Sequence, residues 1–197
     1  MNIPAVRQAT ADDRKTVVNI ITLAFTVDPL NRWYLPGAER FLTWFPQLAD
    51  VFVGPSIEAG ACFLTSGEDG AAIWLPPGAE VDNERAEGVI GQAVPSHLLA
   101  DAGELFAFLE SSHPHDEDCW YLPLIGVDVA AQGRGLGAIL MKHVTDLLDE
   151  NGALGYLESS NPKNVSLYER HGFEVIDQKS FGDSPLISPM VRARRSA

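Results

Sequence analysis

Three glycines stand at alternate positions where a predicted strand gives way to a predicted helix, at Gly133, Gly135 and Gly137. Glycine has no side chain, so the backbone amides of such a loop are exposed, and they lie beside the positive end of the helix dipole. Exposed amides at a helix N-terminus bind phosphate or pyrophosphate groups. The alternative is a tight strand–helix turn that binds no ligand, although three alternate glycines exceed what a turn requires.

Two known phosphate-binding patterns can be compared with this loop. A P-loop is excluded because the Gly-Lys-Ser/Thr ending is absent. A dinucleotide-binding fingerprint is matched by Gly133-x-Gly135-x-x-Ala138, and Glu158 follows 20 residues later. However, residues 130–132 separate the strand from the first glycine, and only 39 residues follow Glu158. That is too little chain to complete a dinucleotide fold and its substrate domain, so this reading stays the weaker alternative.

The segment Val127–Gly137 resembles the acyl-CoA loop of the GNAT N-acetyltransferase superfamily. The signature of that loop is Gln/Arg-x-x-Gly-x-Gly/Ala, which Gln132, Gly135 and Gly137 fill. Two later segments, 157–164 and 168–173, resemble the second conserved segment of the family. The likeness is close from residue 121 to 176 and looser for the region 7–25 and for a predicted hairpin at 61–75. Within the superfamily, the nearest likeness is to the puromycin-N-acetyltransferase-like branch.

This resemblance implies that acetyl-CoA is the cosubstrate and that no metal takes part. It implies that the strands predicted at 121–129 and 154–158 splay apart, so that their backbone pairs with the pantetheine arm while the loop amides hold the pyrophosphate. Arg134 would contact a CoA phosphate, the alternative being a solvated loop arginine. The implied cofactor-binding residues are Val127, Val129, Gln132, Gly133, Arg134, Gly135, Leu136, Gly137, Ala138 and Asn164.

The same resemblance assigns the catalytic roles to Tyr168 and Glu158. Tyr168 stands where the family places a tyrosine that protonates the CoA sulfur as a general acid. Its alternative is an aromatic ring that packs a short helix against the sheet. Glu158, at a strand end facing the cleft, is the candidate base, with an acceptor-binding or structural carboxylate as the alternative. Asn164, four residues before Tyr168, shares its helix face, unless it only caps the helix.

Hydrophobic periodicity predicts the elements that must position these residues. We expect a single α/β (α+β) domain over residues 1–197, with a mixed, mostly antiparallel sheet flanked by helices and an acetyl-CoA-binding core at about 119–176. A helix is expected to follow the glycine loop and end at Gly152, and a shorter one to run from Asn161 to Tyr168. The segment Asp28–Gly37, with Trp33 and Tyr34, is predicted to be a loop that forms part of an acceptor pocket. A helix at 41–52 is expected to break near Pro46.

The composition of the chain restricts the kinds of molecule that it is expected to bind. The chain has 197 residues, 46% hydrophobic, and a net charge of −13, which disfavours disorder and nucleic acid and mildly favours a cationic acceptor. No targeting or membrane segment is recognisable, so we expect a cytoplasmic protein. Cys62 and Cys119 form no metal or disulfide pattern. The run from His113 to Cys119 contains metal-ligand types, but its spacing fits no standard site and is typical of a solvated acidic loop.

The predicted reaction is direct acetyl transfer to a small-molecule amine, without a covalent enzyme intermediate. The alternative is a non-catalytic acyl-CoA-binding or sensor module on the same fold. The apolar C-terminal strand is a candidate for pairing between two copies, which would make the protein a homodimer.

Overall fold

The structure, a computed structural model, describes residues 5–114 and 118–195 and contains one sheet of seven strands within them. The strand order is β1-β2-β3-β4-β5-β7-β6, with β4 and β5 parallel and every other pair antiparallel. The predicted mixed, mostly antiparallel fold is thus confirmed. The strands are β1 (Val6–Gln8), β2 (Cys62–Thr65), β3 (Gly70–Leu75), β4 (Cys119–Val127), β5 (Leu154–Ser159), β6 (Glu174–Val175) and β7 (Ser188–Arg192).

Helices cover both faces of this sheet and build a separate apolar core on each. One core packs the first helices of the chain against the sheet and includes Ile21, Phe41 and Phe45. The other lies under the helix that follows the glycine loop and includes Leu140 and Leu148. The helices are α1 (Arg14–Phe25), α2 (Pro29–Tyr34), α3 (Ala38–Glu58), α4 (Asn83–Ala93), α5 (Leu99–Ser112), α6 (Leu136–Asn151) and α7 (Val165–Glu169).

The two parallel strands separate halfway along their length. β4 and β5 pair from Cys119–Leu154 to Leu122–Leu157, and the next residue of β4 is Pro123. Proline has no N–H and cannot donate to a strand ladder. On its other side β4 stays paired with β3, with a register shift at this level. The result is an opening between β4 and β5 at their C-terminal ends.

Two predicted boundaries in the N-terminal half are wrong. The segment predicted as a loop from Asp28 contains α2, because the Asp28 carboxylate accepts the N–H of Asn31 as an N-cap and Pro29 fits the first helical position. The helix expected to break near Pro46 runs unbroken as α3. The carbonyl that loses its donor belongs to Leu42, which lies on the exposed face of the helix.

Two expectations near the C-terminal half also need correction. The strand predicted to reach Val129 ends at Val127, since the Asp128 carboxylate accepts the N–H of Ala130 and starts a 3₁₀ turn. The C-terminal strand β7 is paired on both sides, with β5 and β6, and therefore presents no free edge to a second copy. The strand pairing that suggested a homodimer is therefore not available to a second copy.

Candidate active site

A cavity of about 980 Å³ occupies the opening between β4 and β5 and extends beneath the helices of the first half of the chain. It brings together residues that are far apart in sequence, including both predicted catalytic side chains. Of the twelve predicted site residues, ten line it: Val127, Gln132, Gly133, Gly135, Leu136, Gly137, Ala138, Glu158, Asn164 and Tyr168.

The glycine loop forms the end of the cavity nearest the start of α6. Gly133 and Gly135 have φ angles of +77° and +80°, and a Cβ at either would meet no atom within 4 Å. Backbone conformation rather than crowding therefore selects glycine here. The side chain of Gln132 donates to the carbonyl of Val127 at 3.2 Å, which ties the loop to the end of β4.

The first turn of α6 supplies unpaired amides to the same end of the cavity. The first N–H bonded within the helix is that of Ile139, which donates to the carbonyl of Gly135. The N–H groups of residues 136–138 have no carbonyl to bond within the helix. Their position at the start of a 16-residue helix favours an anion. This cradle fits the pyrophosphate of acetyl-CoA.

Two predicted cofactor residues lie outside the cavity wall. Val129 is about half exposed in the turn after β4. The guanidinium of Arg134 is exposed and pairs with the carboxylate of Asp69 at 3.1 Å. A contact between Arg134 and a CoA phosphate stays a prediction, and it would compete with this ion pair.

Tyr168 and Asn164 belong to the short helical segment that closes the other side of the opening. Asn164 is exposed and makes no capping bond to α7, so the local capping alternative is not observed. Tyr168 is buried, and its ring meets Phe173 edge-on at 6.5 Å between centroids. Burial, together with the nearby carboxylate of Asp28, raises the pKa of the Tyr168 phenol above its ordinary value. The side chain thus both packs α7 and presents a protonated phenol at the cavity.

Glu158 lies near the C-terminal end of β5, half-buried in the wall of the cavity. Burial raises the pKa of its carboxyl to about 7, while the hydroxyl groups of Tyr121 and Tyr156 oppose that rise. Tyr156 faces the carboxylate without reaching hydrogen-bond geometry, and its buried hydroxyl has no partner among the described residues. A carboxyl with a pKa near neutrality can accept a proton and release it again at physiological pH.

Aromatic rings hold the two tyrosines beside Glu158. The imidazole of His113 meets the ring of Tyr121 at 5.0 Å and that of Tyr156 at 4.8 Å, both edge-on. Tyr121 also lines a second cavity of about 730 Å³, which adjoins the first and shares Phe52 and Asn83 with it. The packing of His113 against both rings therefore holds the two tyrosines next to Glu158.

A buried polar network, centred on an Asp28 carboxylate that lies near Tyr168, was not predicted from the sequence. The Asp28 carboxylate accepts the N–H and the side-chain amide of Asn31 at 2.9 and 2.8 Å, and the hydroxyl of Ser160 at 2.6 Å. The hydroxyl of Tyr34 donates to the side-chain carbonyl of Asn31. The pair Asp28-Pro29 is a helix-start signal that would have placed this carboxylate at a helix end. Of the two aromatic residues expected in the acceptor pocket, Tyr34 lines the cavity, whereas Trp33 donates its indole N–H to Asp183.

The two cysteines and the histidines of the described residues do not line this cavity. Burial raises the pKa of the Cys62 thiol to about 12. The ring nitrogens of His171 face the carbonyls of Leu167 and Ala138, and the ring of His143 packs edge-on against Phe63. Residues 115–117 of the acidic loop lie outside the described residues. Across residues 5–114 and 118–195 no three potential metal ligands cluster, and no helix there is long and apolar enough to span a membrane.

Splayed parallel strands, a glycine loop opening a helix and a buried tyrosine across the gap agree with the resemblance to acyl-CoA-dependent acyltransferases found in the sequence. The chain belongs to the acetyltransferase (GNAT) family, whose model matches residues 66–173. Acetyl-CoA is the cosubstrate of this family. The identification from sequence is confirmed at the level of the family and of the enzyme class.

Relatives and a solved structure agree with this assignment. An uncharacterized N-acetyltransferase of Schizosaccharomyces pombe is 24% identical over 182 residues, covering 86% of this chain and 74% of that protein. The mycothiol acetyltransferase of Mycolicibacterium smegmatis is 31% identical over 159 residues, covering 70% of this chain and 52% of that one. The chain thus spans about half the length of that enzyme.

The fold itself recurs in a Corynebacterium glutamicum protein described as a histone acetyltransferase and related acetyltransferase. The two superpose with a TM-score of 0.67 over 98% of both chains, at 22% sequence identity. At this identity the likeness shows a shared fold and leaves the acceptor of this chain open.

Proposed function

We propose that the protein transfers the acetyl group of acetyl-CoA directly to the amino group of a small molecule. The observation that carries the proposal is the single cavity that Tyr168, Glu158 and the unpaired amides of α6 share. The similarity to a mycothiol acetyltransferase supports a small-molecule acceptor. The likeness to the puromycin-N-acetyltransferase branch remains a prediction within this proposal.

The residues that would hold acetyl-CoA lie in one half of the cavity. The amides of residues 133–138 would bind the pyrophosphate, and the end of β4 at Val127 would pair with the pantetheine arm. Lys163 and Arg170 line this half beside Asn164 and place positive charge near the phosphates. When bound, acetyl-CoA supplies a thioester, whose C–S bond breaks as the C–N bond to the acceptor forms.

Glu158 and Tyr168 would handle the protons of this exchange. Glu158, ionised above a pKa of about 7, accepts a proton from the attacking amine, directly or through water. The phenol of Tyr168, kept protonated by its raised pKa, donates a proton to the departing sulfur. The proton on Glu158 then restores the phenol, so the net result moves one proton from nitrogen to sulfur. No nucleophilic side chain is required, in line with the absence of a cysteine from the cavity wall.

A thermal-shift titration with acetyl-CoA, CoA and NAD tests whether the protein binds the proposed cosubstrate. A ligand at about 100 times its dissociation constant stabilises the folded state by roughly 2.7 kcal/mol, which for a domain of this size is roughly 5 to 11 °C. We expect shifts with acetyl-CoA and CoA and none with NAD. A shift with NAD alone would restore the dinucleotide reading and remove both catalytic assignments.

Acetyl transfer to an amine is tested by free-thiol release from acetyl-CoA with and without amines, with the acetylated amine identified by mass spectrometry. We expect release that depends on the amine. Binding of acetyl-CoA without amine-dependent release would instead identify a non-catalytic acyl-CoA-binding module.

A further inference from the structure

The half of the cavity remote from the glycine loop is a chamber with mainly apolar walls. Helices α1, α3, α4 and α5 supply these walls, which include Phe25, Phe45, Leu48, Ile90 and Phe106. The rings of Phe25 and Phe45 stack at 5.1 Å between centroids and form one side of the chamber. A ligand that enters exchanges water for hydrocarbon along most of its length.

Asp28, Asn31 and Tyr34 are buried polar residues of this chamber that are already engaged with one another, whereas Asn83 and Glu110 of the lining are exposed. Asp28 accepts three hydrogen bonds, two from Asn31 and one from Ser160. The side chain of Asn31 is held at both ends, since its amide donates to Asp28 and its carbonyl accepts the hydroxyl of Tyr34. A hydroxyl-rich acceptor would have to break this network to replace its own bonds to water, which carries a free-energy cost.

Charge in the cavity is divided between its two halves. The cationic side chains in its lining, Lys163 and Arg170, belong to the cofactor half. Glu158 lies where the halves meet, and Glu110 is an exposed member of the lining. An acceptor whose reactive amine reaches Glu158 would place a second ammonium group among the apolar walls. The carboxylates there are Asp28, whose oxygens already accept three hydrogen bonds, and the exposed Glu110, so this placement is less favourable than that of an apolar body.

We propose that the acceptor is a monoamine with an apolar body, aromatic or alkyl, and that this chamber is its binding site. The amino group reaches Glu158 while the body fills the space between α1, α3, α4 and α5. Diamines, polyamines and amino sugars are poor acceptors, despite the net charge of −13, which by itself favours polycations. This inference rests on the proposed function and names its acceptor.

Steady-state kinetics with a homologous series of amines provides the test. Linear primary amines from propylamine to heptylamine, compared at equal free-base concentration, should show kcat/KM rising about threefold to fourfold per methylene until the chamber is full. Phenethylamine should exceed 1,4-diaminobutane and glucosamine by roughly 100-fold in kcat/KM. Calorimetric affinities of the same amines for the CoA-bound enzyme should follow the same order, which gives a readout independent of turnover.

A charge placed in the chamber wall should change this preference. Ala86 lies on α4, half-buried and in the cavity lining, and the substitution Ala86→Asp adds a carboxylate there. The ratio of kcat/KM for 1,4-diaminobutane over butylamine should rise about tenfold in this variant. The matched control is Gln92→Glu, which adds the same charge on an exposed position of α4 outside the cavity, and it should leave the ratio unchanged.

The outcomes separate this inference from the proposed function. A flat methylene series, or diaminobutane equal to or better than phenethylamine, would overturn the acceptor class while leaving acetyl transfer intact. Failure of every amine to release thiol, with acetyl-CoA bound, would overturn both. If Ala86→Asp does not fold, the methylene series in the unmodified protein decides alone.

Discussion

The two halves of the cavity differ in the means by which they would recognise their ligands. The half proposed for the cofactor presents backbone amides, two glycines of positive φ and a helix N-terminus, with cationic side chains beside them. The half proposed for the acceptor presents the volume and apolar surface of side chains from four helices. Glu158 and Tyr168 stand where the halves meet. Cofactor binding would therefore depend on the backbone of a short stretch of chain, whereas acceptor specificity would depend on packing that many substitutions can alter.

Substitution of Tyr168, which lies where the two halves meet, should have the largest effect on turnover. Tyr168→Phe removes the phenol proposed to protonate the leaving sulfur, and kcat should fall by about 10² to 10⁴. The dissociation constant of acetyl-CoA, measured by calorimetry, should stay the same because the cofactor half is intact. Tyr34→Phe is the comparison, since it removes a hydroxyl from the acceptor half. It should change mainly the KM of the amine, and equal losses of kcat in the two variants would contradict the division of roles.

The carboxylate at the same place gives a pH-dependent test. Glu158 must be ionised to accept a proton, so kcat at saturating amine should rise with pH through about 7 in the unmodified protein. Glu158→Gln should abolish this limb and lower kcat at pH 8 by about 10². Retention of the limb in the variant would assign it to another group.

The stability of Glu158→Gln provides an independent check on the same carboxyl. A carboxyl whose pKa is raised on folding destabilises the folded state once it ionises, so stability is lost as pH rises from 4.5 to about 7. Allowing for its partial exposure, the variant should gain about 1–2 kcal/mol in free energy of unfolding at pH 8 and nothing near pH 4. Urea titrations at the two pH values measure this difference.

The cofactor half can be tested with two glycines at opposite ends of α6. Gly135→Ala and Gly152→Ala each place a Cβ at positive φ, +80° and +58°, and each should cost about 1 kcal/mol of stability. Only Gly135 belongs to the cavity lining, so its variant alone should weaken acetyl-CoA binding, by about tenfold. Equal weakening in both variants would mean that a general loss of stability is responsible.

The smallest effect is expected from Arg134→Gln. Because Arg134 is exposed and paired with Asp69, it should contribute only about twofold to fivefold to acetyl-CoA affinity. The effect should shrink further at high salt. A loss beyond about 30-fold would mean that Arg134 leaves Asp69 and binds a phosphate closely.

The glycine loop and the start of α6 can be predicted from the sequence because their signals are local. A glycine of positive φ and the start of a helix depend on a few neighbouring residues, so residues 132–138 were predicted correctly as a loop opening α6. The acceptor half depends on long-range packing. Asp28 and Ser160 are 132 residues apart and meet only in the folded chain. The helix α3 continues through Pro46 because the missing hydrogen bond falls on its exposed side. Which side of the helix is exposed depends on the folded chain, so the local sequence around Pro46 does not reveal it.

Initial rates with both substrates varied test whether both halves of the cavity are filled together and the acetyl group passes directly between the two ligands. Acetyl-CoA and phenethylamine should be varied against each other, with thiol release as the signal. We expect reciprocal plots that intersect, because both ligands are bound before either product leaves. Parallel lines would mean ping-pong kinetics with a covalent acetyl-enzyme, and would contradict direct transfer.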